Sequence, residues 1–350
     1  MEVIIAFIFL SLGLSRWINK IALKSKKRIF RNLIYILLYL LFTFLLSLPF
    51  SIYTGFIREH QYGLSNITFM EWFSEEMIGL ALLIFFGGLL LLALYSIIKK
   101  VKNTWWIWGS GVLMVFLIIT IFISPVFISP LFNNYVPLED GEIKEEILSL
   151  ARANGVPADN VYQFNASKQS KRISANVSGI GSTIRISLND NLLNQCSKAE
   201  IKSVMAHELG HYVLNHTITL LIYFGIIIVI GFAVVNFLMK KAINKFGAGW
   251  GIENISDVTS LPLFVILFSF YMFIATPVTN SIIRSDETEA DIFGLNAARE
   301  PDGFASVAMK LSDYRKINPG KLEEILFFDH PSGNSRVTMS MKWKAENLEK

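Results

Sequence analysis

The amino-acid sequence predicts a mainly α-helical fold, in which a polytopic bundle of membrane helices carries a small α+β soluble part. Composition is the first reason: 53% of the 350 residues are hydrophobic and only 17% are charged, which is too apolar for a water-soluble globule. The second reason is that several uncharged stretches reach the roughly 20 helical residues needed to cross a bilayer. The third is that two long polar regions separate or follow these stretches.

The uncharged stretches predict the membrane spans. Five of them are long enough to cross a bilayer, namely 33–57, 77–98, 103–138, 217–239 and 258–283. A shorter apolar stretch, 3–15, precedes them, and Arg16 can extend it by placing its charge at the membrane surface. We count it as the first span, so 1–135 holds spans one to four and 217–283 holds spans five and six. Because Glu2 follows Met1 and no small-residue cleavage site is present, we expect the segment to be retained.

The two polar regions, 136–216 and 284–350, are predicted to form the soluble part. In the first, EDGEIKEEILSLARANG predicts a helix that ends at Gly155 and has one apolar face, made of Ile143, Ile147, Leu150 and Ala151. Segments 160–166, 172–178 and 183–188 read as short strands, and the helical sequence AEIKSVMAHELGHYVLNH follows. In the second region, prolines divide the chain into short helices, at Pro301, Pro319 and Pro331.

Charge and cysteine content exclude two classes of protein. The net charge of +4 is too small to indicate a nucleic-acid partner. The single cysteine, Cys196, cannot form a disulfide within the chain. The partners that remain are the lipid bilayer around the spans and a substrate of the soluble part.

A metal-binding motif lies in the helical run. His207-Glu208-Leu209-Gly210-His211 is an HExxH sequence, and residues four apart on a helix share a face. His207 and His211 can therefore bind one Zn²⁺, while Glu208 lies beside the open coordination position and can take a proton from water. Only 5 histidines occur in the chain, so coincidence is a weak explanation. The motif predicts a zinc-dependent hydrolase with one Zn²⁺ per chain.

A third ligand is available downstream. In the sequence DETEAD, Glu287 and Asp291 are four residues apart and share a helical face. Glu287 can complete the metal site, and Asp291 can accept the outer N–H of a ligand histidine. Glu289 is a weaker candidate because it lies roughly 200° around the helix from Glu287. A solvated acidic face next to a membrane span is the simpler alternative.

The chain resembles the type I CAAX prenyl proteases, integral-membrane zinc metallopeptidases of the a-factor-converting type. Besides the residues above, the resemblance rests on LPFSIYTGFIREHQYGLS (48–65), SPLFNNYVPLEDGEIKEEI (129–147), SANVSG (174–179), LNDNLL (188–193) and FFDHPSGNSR (327–336). It runs nearly end to end. It implies a gluzincin-like zinc protease domain in the soluble regions, with a peptide or protein substrate that is prenylated or hydrophobic.

The resemblance also implies roles for residues that would not be selected otherwise. His330 looks like the residue that stabilises the tetrahedral oxyanion, and Arg336 looks like the arginine that closes the His-Pro motif. The family usually has Asn-Ala where this chain has Ser174-Ala175. Ala175 is therefore expected at the substrate site, and the substrate-binding asparagine is either replaced by Ser174 or shifted to Asn176. The resemblance further implies a substrate that extends along strand 172–178 as an added strand.

Three other functions fit part of the pattern. A catalytically silent zinc-containing scaffold or chaperone is the main alternative, although a structural zinc site does not need the base Glu208. Site-2-type proteases also carry HExxH in membrane helices, but the LDG sequence that supplies their remaining ligand does not occur here. A zinc transporter would place ionisable residues within its spans, and these spans have almost none.

Two arguments disagree on the face of the membrane that carries the soluble part. The connections 16–31, 99–102 and 240–245 lie on one side of the membrane and hold thirteen lysines and arginines. The second connection, on the other side, holds only Arg58. This charge bias predicts that the soluble part lies outside the cytoplasm. The eukaryotic members of the family present their catalytic domain to the cytosol, so the resemblance predicts the opposite. The expected location is therefore either a cell (inner) membrane or a membrane of the endoplasmic-reticulum type.

Overall fold

The computed structural model describes residues 1–179, 184–312 and 315–348. Within these ranges the chain divides into two compact units. The first consists of 1–62, 68–120 and 224–275, and the second of 63–67, 121–223 and 276–350. The helices are, in chain order, α1 Glu2–Ser11, α2 Leu14–Ala22, α3 Arg28–Ser51, α4 Arg58–Gln61, α5 Phe69–Leu82, α6 Gly88–Lys100, α7 Trp105–Ile123, α8 Glu142–Ala153, α9 Asp190–Gln195, α10 Lys198–Val213, α11 His216–Trp250, α12 Leu261–Ala298, α13 Pro301–Leu311, α14 Lys321–Phe327 and α15 Gly333–Asn347.

The five long spans predicted from the sequence are confirmed. Within the described residues, five helical segments are long and apolar enough to cross a membrane, and they are Arg28–Gln61, Phe69–Lys100, Trp105–Leu131, His216–Trp250 and Val258–Ala298. Short π-helical turns join α3 to α4 and α5 to α6. Because these breaks stay helical, each pair of helices forms one continuous helical segment.

One predicted boundary is wrong, and one predicted span is bent. The fourth span was expected to reach residue 138, but α7 ends at Ile123, the apolar helix ends at Leu131, and a strand begins at Tyr135. Pro125 and Pro130 lie in this region, and each removes a backbone donor from the helix. The stretch counted as the first span consists of two helices, α1 and α2, which are bent by 72° relative to each other. Gly13 breaks the helix with a left-handed φ of 71°, a conformation that glycine adopts without strain.

The core of the first unit combines aromatic rings with a few internal hydrogen bonds. Trp105 is fully buried, and its indole N–H donates to Asn236 Oδ1 at 2.8 Å. Tyr35 and Ser15 share a hydrogen bond of 2.6 Å between their hydroxyl oxygens. Buried polar groups cost free energy unless they are paired, so these contacts allow polar side chains to lie inside an apolar bundle.

The second unit contains a four-stranded sheet of order β1-β2-β4-β3, with strands at Tyr135–Pro137, Val161–Phe164, Ala175–Ser178 and Arg185–Asn189 for β1 to β4. Strands β2 and β4 are parallel, and the outer pairs are antiparallel. Three of the four strands were predicted. The first was missed because it was assigned to a membrane span. Strand β3 pairs with β4 along one side only, so among the described strands its other side is an edge.

Helix α10, which carries the HExxH motif, begins with a capping box. Ser197 Oγ accepts from the backbone N–H of Glu200, and Glu200 Oε2 accepts from the backbone N–H of Ser197 at 2.6 Å. The Glu200 carboxylate also accepts from Ser306 Oγ at 2.6 Å and from Lys310 Nζ at 2.8 Å. Glu200 therefore fastens the start of α10 to α13.

Replacing Glu200 should make stability depend less on pH. Burial alone would raise the pKa of Glu200, but hydrogen bonds from Lys310, Ser306 and the Ser197 backbone outweigh it and lower the pKa to about 2. A lowered pKa stabilises the folded chain above the ordinary pKa, and this contribution is lost as pH falls through the folded value. Glu200→Gln should cost about 3 kcal/mol at pH 7.

The measurement is unfolding of the detergent-solubilised chain followed by fluorescence between pH 7 and pH 2. The difference between wild type and Glu200→Gln should shrink as pH falls below about 4.5 and should be nearly gone at pH 2. Glu145→Gln, at an exposed position of α8, is the control and should change little. A Glu200→Gln difference that stays constant over this range would contradict the argument.

Candidate metal centre and active site

Helix α10 brings the two motif histidines together. His207 and His211 lie one turn apart, and their Nε2 atoms are 3.1 Å from each other. His207 is buried and His211 is half-buried. The shared helical face predicted from the spacing is therefore present.

Helix α12 supplies the third group. Glu287 is buried, its Oε2 lies 3.3 Å from His207 Nε2, and its Oε1 lies 3.4 Å from His211 Nε2. One ligand atom from each of these three residues lies within 4.8 Å of the others. Glu289 is exposed and is not part of this group. The structure thus places the three expected ligands around one point.

Behind His207 lies an ion pair. His207 Nδ1 is 2.8 Å from Asp291 Oδ1, and Asp291 is fully buried. Arg336 binds the same carboxylate with two nitrogens, one of them Nε at 2.9 Å from Oδ2. The Arg336 guanidinium also lies over the Phe304 ring, 5.3 Å from its centre. Arg336 therefore holds Asp291, and Asp291 holds the ring of His207.

Behind His211 lies His216, for which the sequence analysis predicts no role. His216 is 3% exposed, and its Nδ1 is 2.9 Å from His211 Nδ1. On an ideal helix a residue five positions later points away from the ligand face. Here α10 ends at Val213 and α11 begins at His216, with Asn215 between them at a φ of 58°. This turn brings His216 back to His211. The sequence signal for the turn is Asn215, because asparagine can adopt the left-handed conformation.

His330 reaches the site from a loop between α14 and α15. Its Nε2 is 3.4 Å from Glu287 Oε1, and its Nδ1 is 2.8 Å from Asp329 Oδ1. Asn280 Nδ2 donates to the Leu326 carbonyl at 3.0 Å, and Arg284 donates to the carbonyls of Glu324 and Phe328. Helix α12 thus supplies a ligand and also holds the segment that positions His330.

A cavity of about 270 Å³ opens onto these groups. Glu208, His330 and Arg336 line it, together with apolar side chains of α10 and α13. Ser174 and Ala175 form part of its wall at the start of β3. Asn176 is exposed and is not among the lining residues, so of the two alternatives for the substrate-binding amide only the Ser174 position faces the cavity.

Comparison with known proteins assigns the chain to a family. The model of peptidase family M48 matches residues 137–343, and that of the CAAX prenyl protease N-terminal region, described as five membrane helices, matches residues 1–134. The chain belongs to peptidase family M48. It is an integral multi-pass membrane metalloprotease, as the sequence predicted.

Individual M48 relatives match over most of this chain. The uncharacterized metalloprotease YhfN of Bacillus subtilis is 30% identical over 339 residues, which cover 96% of this chain and 79% of YhfN. CAAX prenyl protease 1 of Saccharomyces cerevisiae is 29% identical over 309 residues, which cover 84% of this chain and 68% of that protein. The crystal structure of S. mikatae Ste24p superposes with a TM-score of 0.82 at 26% identity, covering 95% of this chain and 81% of that one.

The electrostatics of this M48 site suit a cation. Burial alone would lower the pKa of His207, but the carboxylates of Asp291 and Glu287 beside its ring nitrogens raise it to about 10. The carboxylates therefore favour a positive charge beside this ring. Burial also raises the pKa of Glu208, although the neighbouring histidines oppose the shift. A raised pKa brings a carboxylate closer to the range in which it can both accept and return a proton near neutral pH.

The side chains fit a divalent metal ion. Glu287 Oε2 is buried and has no hydrogen-bond partner among the described residues. The two oxygens of this carboxylate lie 3.3 Å and 3.4 Å from the Nε2 atoms of His207 and His211. Two histidines and one glutamate, with a base beside them, are the donor set of a catalytic zinc centre that keeps one position open. An unpaired buried carboxylate oxygen would be costly without such a cation.

Proposed function

We propose that this chain is a zinc-dependent membrane endopeptidase in which His207, His211 and Glu287 bind one Zn²⁺ and Glu208 is the general base. The observation that supports the proposal is the buried group of three ligand side chains beside Glu208 in one cavity. When bound, the zinc ion supplies Lewis acidity that polarises the scissile carbonyl and lowers the pKa of water. The remaining steps belong to the residues of the chain.

Glu208 takes a proton from the attacking water and returns it to the leaving nitrogen. A pKa above the ordinary range favours this double use, and burial raises the pKa of Glu208. Asp291 and Arg336 take no proton in this scheme. They hold the His207 ring in one orientation and one tautomer, with Nε2 free to bind the metal.

The substrate backbone binds along the open side of β3. Among the described strands β3 is paired along one edge only, and its first residue, Ala175, lines the cavity with Ser174. An extended peptide added to this edge would gain backbone hydrogen bonds and bring its scissile bond to the metal ligands. The apolar wall formed by Val204, Phe304 and Val307 suits a hydrophobic side chain of the substrate.

Prenylated proteins are the proposed substrates, because CAAX prenyl protease 1 of Saccharomyces cerevisiae is a relative over most of the chain. Hydrolysis of two peptides with the same sequence tests this, one carrying a farnesyl thioether on its cysteine and one a free thiol. We expect the farnesylated peptide to have the higher kcat/KM. Equal values for the two peptides would show that the lipid is not recognised. The Glu208→Gln chain, isolated with its bound peptides for mass spectrometry, identifies the natural substrate.

His330→Ala should reduce kcat by about 100- to 1,000-fold. Its Nε2 lies at the ligand group, where it can donate to the oxygen that becomes negative in the transition state. Such a contact is complete only in the transition state, so KM should change much less than kcat. Steady-state kinetics with His60→Ala as the matched control checks this, since within the described part of the chain His60 hydrogen-bonds only to the Phe56 carbonyl, one turn earlier. A rise in KM with unchanged kcat would assign His330 to substrate binding.

A further inference from the structure

His216 is buried behind His211 and has two different sides. Its Nδ1 contacts His211 Nδ1 at 2.9 Å. Its Nε2 is buried without a hydrogen-bond partner among the described residues, and Glu289 Oε2 lies 3.5 Å away. Buried imidazole nitrogens are normally hydrogen-bonded. His216 has one nitrogen, Nδ1, in contact with His211 and the other, Nε2, near a carboxylate, and this arrangement needs an explanation.

The contact fixes the tautomers of both rings. If His211 binds metal through Nε2, its proton is on Nδ1 and must be donated. The His211 Nδ1–H then donates a hydrogen bond to His216 Nδ1. The proton of the His216 ring is therefore on Nε2, which faces Glu289. We propose that His216 is a positioning residue that fixes the orientation and tautomer of the metal ligand His211. The proposal rests on the metal centre of the proposed function.

The two ligand histidines are therefore supported differently. His207 is held by a carboxylate that Arg336 binds in turn, whereas His211 is held by a second imidazole. A neutral ring orients its neighbour but adds no negative charge to the metal site. Loss of an outer partner usually weakens metal binding by about 10- to 100-fold. We expect His216→Ala to fall at the lower end of this range and Asp291→Ala at the upper end.

The test measures metal binding rather than activity alone. The affinity for Zn²⁺ is measured by chelator competition, and the visible absorption of Co²⁺ added in its place reports ligand geometry. His216→Ala should bind Zn²⁺ about tenfold more weakly and change the Co²⁺ spectrum. His216→Gln should recover part of both, because its amide oxygen can accept from His211. His60→Ala, at a histidine outside the site, is the control.

Affinity within twofold of wild type and an unchanged Co²⁺ spectrum in His216→Ala would overturn this role and leave the metal centre intact. If the wild-type chain binds no metal, the proposed function itself fails. Should His216→Ala not fold, His216→Leu gives the same measurement, because its side chain fills the space but cannot accept a hydrogen bond from His211. A Gln variant as weak as the Ala variant would contradict the hydrogen-bond explanation.

A second, independent observation is a cavity of about 640 Å³ in the first unit. It lies where α6 ends and where α11 changes from apolar to basic sequence, next to the segment 251–257. Ile98, Ile243 and Ile255 form an apolar wall. The cavity is therefore at the level where membrane-spanning helices leave the hydrocarbon core, and it joins an apolar surface to a polar one.

The polar part of the lining contains positive charges that are not neutralised by ion pairs among the described residues. Lys102 and Lys240 line the cavity and have no ion-pair partner within the described part of the chain. Asp257 is occupied, because its carboxylate accepts from the backbone and side-chain nitrogens of Asn254. Glu253 is the acidic group of the lining, and Arg28 donates to the Ser256 carbonyl close by at 3.0 Å. The cations exceed the acids at this position.

We infer that the cavity binds the headgroup of an anionic phospholipid, with Lys102 and Lys240 at the phosphate and the acyl chains along the isoleucine wall. Basic pockets between membrane helices bind such headgroups. A free phosphate would use the lysines but not the apolar wall. Each lysine near an anionic lipid contributes about 1 kcal/mol, so removing both should weaken binding roughly 30-fold.

Native mass spectrometry of the full chain, titrated with phosphatidylglycerol or phosphatidylcholine, tests the inference. Phosphatidylglycerol should bind more tightly, and Lys102→Gln with Lys240→Gln should remove the difference. The matched control combines Lys241→Gln and Lys245→Gln, which remove the same amount of charge from α11 outside the cavity. Equal losses in both double variants would show a general surface charge and overturn the site. Displacement of the lipid by an equal concentration of glycerol phosphate would overturn the lipid as occupant.

Discussion

Glu208→Gln is expected to keep stoichiometric metal and to lose peptide hydrolysis by at least about 10³-fold. Glu208 lines the cavity beside both ligand histidines, but it is not a member of the ligand group. The amide has nearly the same size as the carboxylate and cannot accept a proton from water. Metal binding and substrate binding should therefore survive while the chemical step fails.

Metal analysis and hydrolysis of one peptide, both on the purified chain in detergent, provide the measurement. Glu145→Gln, at an exposed position of α8, should leave both readings unchanged. Loss of metal from Glu208→Gln would make Glu208 a ligand, and retained turnover would exclude it as the base. The scaffold or chaperone alternative predicts a different result, because a wild-type chain of that kind would bind zinc and hydrolyse nothing.

The ligand set could be predicted from the sequence because each part of it is local. His207 and His211 are one helical turn apart, and so are Glu287 and Asp291, and each pair lies on a continuous helix. On a helix, spacing alone decides which side chains share a face. Only the contact between α10 and α12 is non-local. It could be predicted because a catalytic zinc ion needs a third protein ligand.

The outer contacts could not be derived in the same way. Arg336 reaches Asp291 across 45 positions of the chain, and no periodicity connects two segments so far apart. His216 has the wrong spacing for a helix and reaches His211 only because the chain turns at Asn215. Its contact depends on one backbone conformation, which a sequence pattern does not specify.

Hydropathy alone also placed the end of the fourth span wrongly. The uncharged stretch continues to residue 138, but its last residues form β1, where Val136 pairs with Gln163 of β2. A short strand at the edge of a sheet and the end of an apolar helix have the same composition. Pro125 and Pro130 are the signal in the sequence that the helix ends earlier, because each removes a backbone donor.

Glu287→Ala should abolish stable metal binding, whereas Glu289→Ala should retain one metal ion per chain. The two residues lie two positions apart on α12 and point in different directions. The side chain of Glu287 is 10% exposed and faces both histidines, whereas that of Glu289 is 60% exposed. Removing Glu287 leaves two protein ligands, and catalytic zinc sites use three.

The comparison is made by metal analysis after dialysis against the same chelator concentration, with size-exclusion chromatography to show that both variants are folded. The pair is matched, because both remove the same carboxylate from the same helix. Metal retained by Glu287→Ala and lost from Glu289→Ala would mean that the register of α12 differs by two residues. Loss from both would point to general acidity of this helix rather than to one ligand, since only a specific site distinguishes two glutamates separated by about 3 Å along the helix axis.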